Sequence, residues 1–144
     1  KDFKVLCFRS GYGQIPLTAR KRWANAHVTC VDRDLLGTTF TRHNASRLDL
    51  GEKLDVRESA HWPDAIQPAE KFNLIVGELS PSAEEGVAIA ELKAVEASLA
   101  KGGEALILCL DKIEKDWMKK FAAKSKLSIY KVLTREGYTV VRLS

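Results

Sequence analysis

Three short segments of this chain carry residue types that can bind a nucleoside or do acid–base chemistry. The turn Gly11-Tyr12-Gly13 follows an apolar run, and glycines there let the backbone approach a ligand just before a helix begins. Asp32 ends the next apolar run, where a carboxylate can accept hydrogen bonds from both ribose hydroxyls of an adenosine-containing cofactor. Glu78 follows a third apolar run, and a carboxylate there can bind an amine or act as a base.

Each of these segments also has a simpler explanation. Two glycines alone can make a tight turn, and the dinucleotide fingerprint GxGxxG fails because Pro16 stands at its last position. A helix cap is the alternative role for Asp32, although Asp34 competes for it. Ser80-Pro81, just after Glu78, can be no more than a helix start. The spacing of Asp32, 19 residues after Gly13, favours a nucleoside pocket.

No other grouping of side chains predicts a metal site or a covalent nucleophile. The histidines have no metal-ligand spacing, the cysteines form no CxxC pair, and no nucleophile elbow is present. Each cysteine lies in an apolar segment, which indicates reduced core thiols and a cytoplasmic protein. The residues concerned are His27, His43, His61, Cys7, Cys30 and Cys109.

The composition is that of an ordinary globular domain. The chain has 144 residues, 45% hydrophobic and 29% charged, which fits one domain over 1–144. No apolar run approaches the ~20 residues needed to cross a bilayer, and the first residues have no signal-peptide pattern and no initiator Met. The net charge of +4 permits a nucleic-acid partner without requiring one.

The elements that must position these residues alternate along the chain. Apolar runs separated by helical stretches predict a doubly wound α/β sheet, mostly parallel, with an antiparallel pair of strands at its C-terminal end. The predicted strands are 4–8, 28–31, 54–57, 72–76, 105–110, 127–133 and 138–143. The predicted helices are 16–25, 35–47, 62–66, 83–100 and 112–124, the last with Ile113, Trp117 and Phe121 on one face.

Several of these segments resemble motifs of class I S-adenosylmethionine-dependent methyltransferases. Residues 5–17 look like the family's glycine motif V-L-D-L-G-C-G-x-G, and 31–34 like its ribose-binding acid segment. Residues 72–76 resemble its fourth strand, 99–104 its L-x-x-G-G-x turn, and 137–140 a recurring ending. The match is closest to the small methyltransferase domain group, which includes ribosomal RNA guanine-N2 methyltransferases. It covers nearly the whole chain in the right order.

The resemblance implies a Rossmann-like fold and S-adenosylmethionine bound at Gly11, Gly13 and Asp32, with Glu78 positioning an exocyclic amine of RNA. The chain also departs from the family's motifs. The motif acid falls on Cys7 and its first glycine on Arg9, the acid near the adenine falls on Ala60, and the Asn-Pro-Pro-aromatic motif falls on 78–81. Together these departures suggest relaxed selection on methyl transfer or a different ligand.

Three hypotheses follow. The first is a methyltransferase acting on RNA. The second is a non-catalytic module, such as the inactive half of a two-domain chain, which contacts RNA through basic helices or a companion methyltransferase domain through an apolar face. The third is a nicotinamide- or nucleotide-binding domain, against which the missing third glycine counts. The basic residues are Arg20, Lys21, Arg22, Lys119, Lys120 and Lys124.

Overall fold

The computed structural model describes residues 2–144 and, within that range, every side chain except those of 113–115. Seven strands form one sheet in the order β3-β2-β1-β4-β5-β7-β6. The strands are β1 (Phe3–Phe8), β2 (Ala26–Asp32), β3 (Leu54–Glu58), β4 (Phe72–Glu78), β5 (Leu99–Leu110), β6 (Ile129–Arg135) and β7 (Tyr138–Leu143).

Helices connect the parallel strands on both faces of the sheet. They are α1 (Gln14–Arg22), α2 (Leu35–Arg47) and α3 (Glu85–Ser98), with a 3-10 turn at Trp62–Ala65 between β3 and β4. The last helical segment, here called α4, runs through α turns at Asp111–Ile113, π turns at Glu114–Met118 and α turns at Lys119–Ala122.

Strands β1 to β5 pair in parallel, whereas β7 runs antiparallel to both β5 and β6. The final pair closes through Glu136 and Gly137, both with positive φ (53° and 80°), as a tight turn that follows the strand twist requires. The predicted fold class is therefore confirmed. The reversal of strand order lies between β1 and β4, so β1 is central and its carboxyl end opens at the switch point where such folds bind ligands.

The core lies on both faces of the sheet, which explains the continuous apolar runs of the strands. Along β1, Val5 and Cys7 face α1, while Leu6 and Phe8 face α3 and α4. In α4, the predicted apolar positions Trp117 and Phe121 pack in the same part of the core as Leu6 and Phe8. The side chain of Ile113 lies outside those described, so its predicted place on that face stays a prediction.

Helix α2 and strand β7 have their predicted bounds, and the other elements differ at their ends. Helix α1 ends at Arg22, three residues early, because the buried Arg20 side chain binds the carbonyl oxygens of Trp23, Ala24 and Ala26 just beyond it. Strand β5 begins at Leu99, six residues early. The turn predicted at Gly102-Gly103 is thus part of an extended strand whose register with β4 shifts between Phe72 and Leu74.

One half of the sheet has a helix on one face only. Helix α1 covers β1 and β2 and borders β4, whose Leu74 and Val76 pack in the cluster under α1. The same face of β5, β7 and β6 has no helix among the described residues. We call this the open face, and its apolar members are at most half-buried, with Tyr130 and Leu133 57% and 58% exposed. Register places Leu108, Val140 and Leu133 side by side on it. The open face comprises Leu106, Leu108, Tyr130, Leu133 and Val140.

Within residues 2–144, no helix is both long enough and apolar enough to cross a membrane.

Candidate functional site

The glycine turn and Asp32 meet at the carboxyl ends of β1 and β2. The Gly11 N–H donates to one oxygen of the Asp32 carboxylate (3.1 Å), and the Asp34 N–H donates to the other (3.1 Å). The two strands are neighbours with Phe8 opposite Val31, so the residues that follow them must lie together. The predicted juxtaposition is present, and the Asp32 carboxylate is held by two backbone donors with only 7% of the residue exposed.

Asp34 takes the capping role that competed for Asp32. Its carboxylate accepts a hydrogen bond from the Leu36 N–H (2.9 Å) at the first turn of α2, which satisfies a donor that the helix cannot. Asp32 is therefore free of that task. Its carboxylate instead fixes the bend after β1, and each oxygen keeps a lone pair for a further donor.

The glycines of the turn serve packing as well as access. Gly13 has φ +95°, and a Cβ there would lie 2.8 Å from Thr41 Oγ1 of α2. Gly37 of α2 faces the turn in the same way, because its Cβ would lie 2.9 Å from the Gly11 carbonyl oxygen. Around Gly11 itself the nearest atom to such a Cβ is 3.9 Å away. Gly13 is thus required by contact with α2 whether or not a ligand binds.

Arg9 occupies the position of the motif's first glycine with a left-handed backbone, φ +51°. Its guanidinium reaches across the end of the sheet, donating to the Glu78 carbonyl oxygen (2.8 Å) and to Glu91 Oε2 (3.0 Å). A second guanidinium nitrogen pairs with Glu91 Oε1. The Glu91 side chain is only 4% exposed and that of Arg9 23%, so the cation at this place already has its anion.

The sequence motif identified Arg9 as a departure from the family, but it did not identify Glu91 as the partner of Arg9. The signal was present, because the buried stripe of α3 runs through Ala88, Glu91, Leu92 and Val95. One carboxylate on an otherwise apolar stripe at i, i+3, i+4 and i+7 indicates a buried cationic partner, since an unpaired charge is costly there.

A layered aromatic stack fills the space beside Arg9. The Phe8 ring packs directly on Gly77 of β4, where an added Cβ would lie 2.3 Å from ring carbons. On its other side it stacks with Trp62 (centroids 4.6 Å apart, planes 13° apart). Trp62 is 3% exposed, and its indole nitrogen has no hydrogen-bond partner among the described residues. Trp62 is therefore a core residue, packed against Phe8.

The residues present do not fit S-adenosylmethionine. The cavity next to Asp32, lined by Arg9, Ser59, Ala60 and Trp62 among others, has a volume of about 10 Å³. Pockets for cofactor-sized ligands measure roughly 300–1,000 Å³, and about 10–15 Å³ accommodates one water. Asp32, the acid predicted to bind ribose, lies beside the glycine turn, but the Arg9–Glu91 pair and Trp62 leave no room for a cofactor next to it.

Cys7 does not replace the acid of the family's motif. Burial, and then the nearby Cys30, raise the pKa of the Cys7 thiol far above its ordinary value, so Cys7 is a neutral core group. Burial also raises the pKa of Cys30, whose sulfur lies 2.9 Å from Ser10 Oγ. All three cysteines are buried, and no cluster of potential metal ligands occurs among the residues described. A cytoplasmic location stays a prediction.

Glu78 is the last residue of β4 and lies beside the same end of the sheet. Its carbonyl oxygen accepts from Arg9, while its carboxylate has no hydrogen bond or ion pair with any described residue. The next residue, Leu79, is fully buried, and its N–H donates to the Leu108 carbonyl oxygen (2.9 Å). Residues 78–81, which align with the Asn-Pro-Pro-aromatic motif, thus keep one available carboxylate, that of Glu78. Their second side chain, that of Leu79, is buried in the core.

The basic helices do not form one surface. Arg20, predicted to contact RNA, is 8% exposed, and its guanidinium donates to backbone carbonyl oxygens, so that prediction is wrong for this residue. Lys120 pairs with Glu85 (2.7 Å). Helices α1 and α4 pack on opposite faces of the sheet, which separates the cations of one from those of the other.

The strand order, the central β1 and the antiparallel final pair define the class I methyltransferase fold. No protein-family model and no curated protein sequence matches the chain, whereas many solved structures do.

Three of these structures illustrate the similarity. The ribosomal protein L11 methylase of Lactobacillus delbrueckii subsp. bulgaricus is 16% identical, with a TM-score of 0.78 over 100% of this chain and 70% of that one. An rRNA methylase from Streptococcus thermophilus is 16% identical, with a TM-score of 0.74 over 99% and 86%. DhpI, solved in complex with SAH, is 14% identical, with a TM-score of 0.73 over 99% and 76%. At these identities the likeness establishes the fold.

Proposed function

We propose that this chain is a non-catalytic module of the methyltransferase fold that supports a companion domain through the open face. The Arg9–Glu91 pair is the observation that carries the proposal. It stands at the carboxyl end of the central strand, where the family's motif has a glycine. The pair and the Phe8–Trp62 stack together close the place where an S-adenosyl cofactor would lie.

Opening this place by side-chain rotation alone is unfavourable. If Arg9 swung out to solvent, the carboxylate of Glu91 would be left nearly buried without its cation, and breaking such a pair costs about 3–5 kcal/mol. If Arg9 stayed, its positive charge would lie beside the sulfonium of the cofactor. Both alternatives disfavour binding of the cofactor. The Asp32 carboxylate then has a structural role, because it holds the bend after β1 through the Gly11 N–H.

The open face is the observation that supports a companion domain. Mostly parallel sheets are normally covered on both faces, but three strands of this one, β5, β7 and β6, carry a half-buried apolar face with no helix over it among the described residues. Neighbouring strands lie about 4.8 Å apart and a helix is about 10 Å across, so three strands offer room for one helix. We therefore assign this face to a helix of a companion domain.

The second candidate is the enzyme itself, an RNA methyltransferase of the guanine-N2 type. The contact between Gly11 and the Asp32 carboxylate favours it, as does the available carboxylate of Glu78. It requires Arg9 and Trp62 to move when the cofactor binds. It also predicts RNA affinity that falls steeply with salt, whereas the companion proposal predicts no RNA binding through α1 and α4.

Calorimetry with S-adenosylmethionine separates the two candidates. We expect no binding heat at millimolar cofactor, because a cavity of about 10 Å³ excludes it. The far-UV circular dichroism of the same sample shows that the domain is folded. A dissociation constant in the micromolar range would overturn the non-catalytic proposal and restore the enzyme.

Thiol labelling tests the companion. The natural cysteines are buried, so Leu133→Cys places a reactive thiol on the open face, and Leu48→Cys places a matched one at the C-terminal end of α2. The two leucines are 58% and 59% exposed. We expect equal labelling in the purified chain, but labelling at position 133 about tenfold slower than at 48 when the protein is expressed in its native host. Equal rates in the host would contradict the companion.

A further inference from the structure

A second cavity lies between α3 and α4. It has a volume of about 530 Å³ and shares no lining residue with the cavity beside Asp32. We call it the α3–α4 groove. It is lined by Glu85, Ile89, Lys93, Glu96, Lys120, Phe121, Ala123 and Lys124.

The groove has an apolar floor set by helical spacing. On α3 its lining residues Glu85, Ile89 and Lys93 stand four apart and so share one face. Opposite them, Phe121 of α4 is 2% exposed and belongs to the core beneath. Ile89 and Phe121 therefore present a continuous apolar surface at the bottom.

Two links to α3, one from α4 and one from the loop that follows it, close the groove at its ends. Lys120 Nζ donates to Glu85 Oε1 (2.7 Å) at the start of α3, and the Lys126 N–H donates to Glu96 Oε1 (2.9 Å) near its end. About 16 Å of helix separates the two acids at 1.5 Å per residue. The links limit an occupant to that length, and they engage both acidic side chains of the lining.

The cations between these links remain available. Lys93 and Lys124 line the groove and are exposed, and the ammonium group of neither forms a hydrogen bond or ion pair with a residue in the described part of the chain. An apolar floor beneath two unpaired ammonium groups matches a molecule with an apolar body and one carboxylate. We propose that the α3–α4 groove binds a small amphipathic carboxylate of the medium-chain fatty acid type.

The closed ends favour a small molecule over a peptide. A helix or an extended peptide that passed through the groove would have to break the Lys120–Glu85 pair or the Lys126–Glu96 hydrogen bond. A chain of eight to ten carbons, on the order of 10–13 Å extended at C–C spacings like those of the backbone, fits between them. The volume of the groove, about 530 Å³, also lies in the ordinary range of roughly 300–1,000 Å³ for ligand sites.

Decanoate is the probe, titrated below its micelle concentration into the whole chain and followed by isothermal calorimetry and by NMR shifts of Ile89 and Phe121. We expect saturable binding of one molecule, with shifts confined to the groove. Decanol, which has the same body without the charge, should bind about tenfold more weakly, as loss of two solvent-exposed ionic contacts implies.

Three variants decide the assignment. Lys93→Gln with Lys124→Gln should weaken decanoate binding about tenfold, and Ile89→Glu should abolish it by placing an anion on the floor. Lys21→Gln on α1, across the sheet, is the matched control and should change nothing. Absence of decanoate binding, or equal affinity in the double variant and the control, overturns the proposal. Lys93 and Lys124 are both on the surface, so the double variant is expected to fold like the natural chain.

Discussion

Gly77→Ala should destabilise the protein by about 3 kcal/mol, the largest loss expected from a single added methyl group in this chain. The new Cβ would lie 2.3 Å from ring carbons of Phe8. That ring cannot turn aside, because it is 1% exposed and stacked beneath Trp62. Urea denaturation, with the free energy of unfolding compared at constant m-value, measures the effect.

Two further variants test the cause of this loss. Gly86→Ala is the matched control, since a Cβ there meets nothing within 4 Å and alanine favours a helix by up to about 1 kcal/mol. Phe8→Leu in the Gly77→Ala background should recover part of the stability by removing ring atoms at the clash. If Gly77→Ala unfolds at the same urea concentration as the natural chain, the Phe8–Gly77 contact is disproved.

Arg9→Ala should cost about 3 kcal/mol of stability, at the lower end of the range for breaking a buried ion pair, because Arg9 is partly exposed. Most of the cost comes from leaving the nearly buried Glu91 carboxylate without its cation. Thermal and urea denaturation of the purified variant measure it. The double variant Arg9→Ala with Glu91→Ala should be less destabilised than the sum of the single variants by about 1–3 kcal/mol.

Arg9→Gly separates the ion pair from the backbone. Arginine at φ +51° carries strain of about 1 kcal/mol that glycine does not. Arg9→Gly should therefore be about 1 kcal/mol more stable than Arg9→Ala, although both lose the guanidinium. Equal stability of Arg9→Gly and Arg9→Ala would show that the left-handed conformation carries no cost. If the losses of the single variants Arg9→Ala and Glu91→Ala add up to that of the double variant, Arg9 and Glu91 do not interact.

The sequence was sufficient to predict the sheet and the meeting of its first two loops. Apolar runs of strand length alternating with helices indicated the parallel arrangement, and the short link at Glu136-Gly137 indicated the antiparallel pair. Gly11 and Asp32 were expected together because each follows a strand of one parallel pair, and the structure brings them within 3.1 Å. These features depend on local patterns and on topology.

Other features depend on side chains that meet only in three dimensions. The partner of Arg9 lies 82 residues away, and the near absence of space beside Asp32 results from the volumes of Phe8, Trp62 and Arg9 combined. Arg20 looked like a surface cation within a basic run, but its place on the inner side of α1 turns it toward backbone carbonyl groups. A sequence pattern assigns a charged side chain to a helix face, but it does not show whether that side chain already has a partner within the fold.

The central position of β1 also has a consequence for how the chain acquires its structure. This first strand is flanked by β2, close in sequence, and by β4, whose Gly77 pairs with Phe8 from 69 residues further along. The half with β2 and β3 can assemble through short connections, whereas the other half requires closure of a long loop whose entropic cost precedes its contacts. Folding should therefore be slow for a domain of this size, with docking of β4 on β1 as the event that limits its rate.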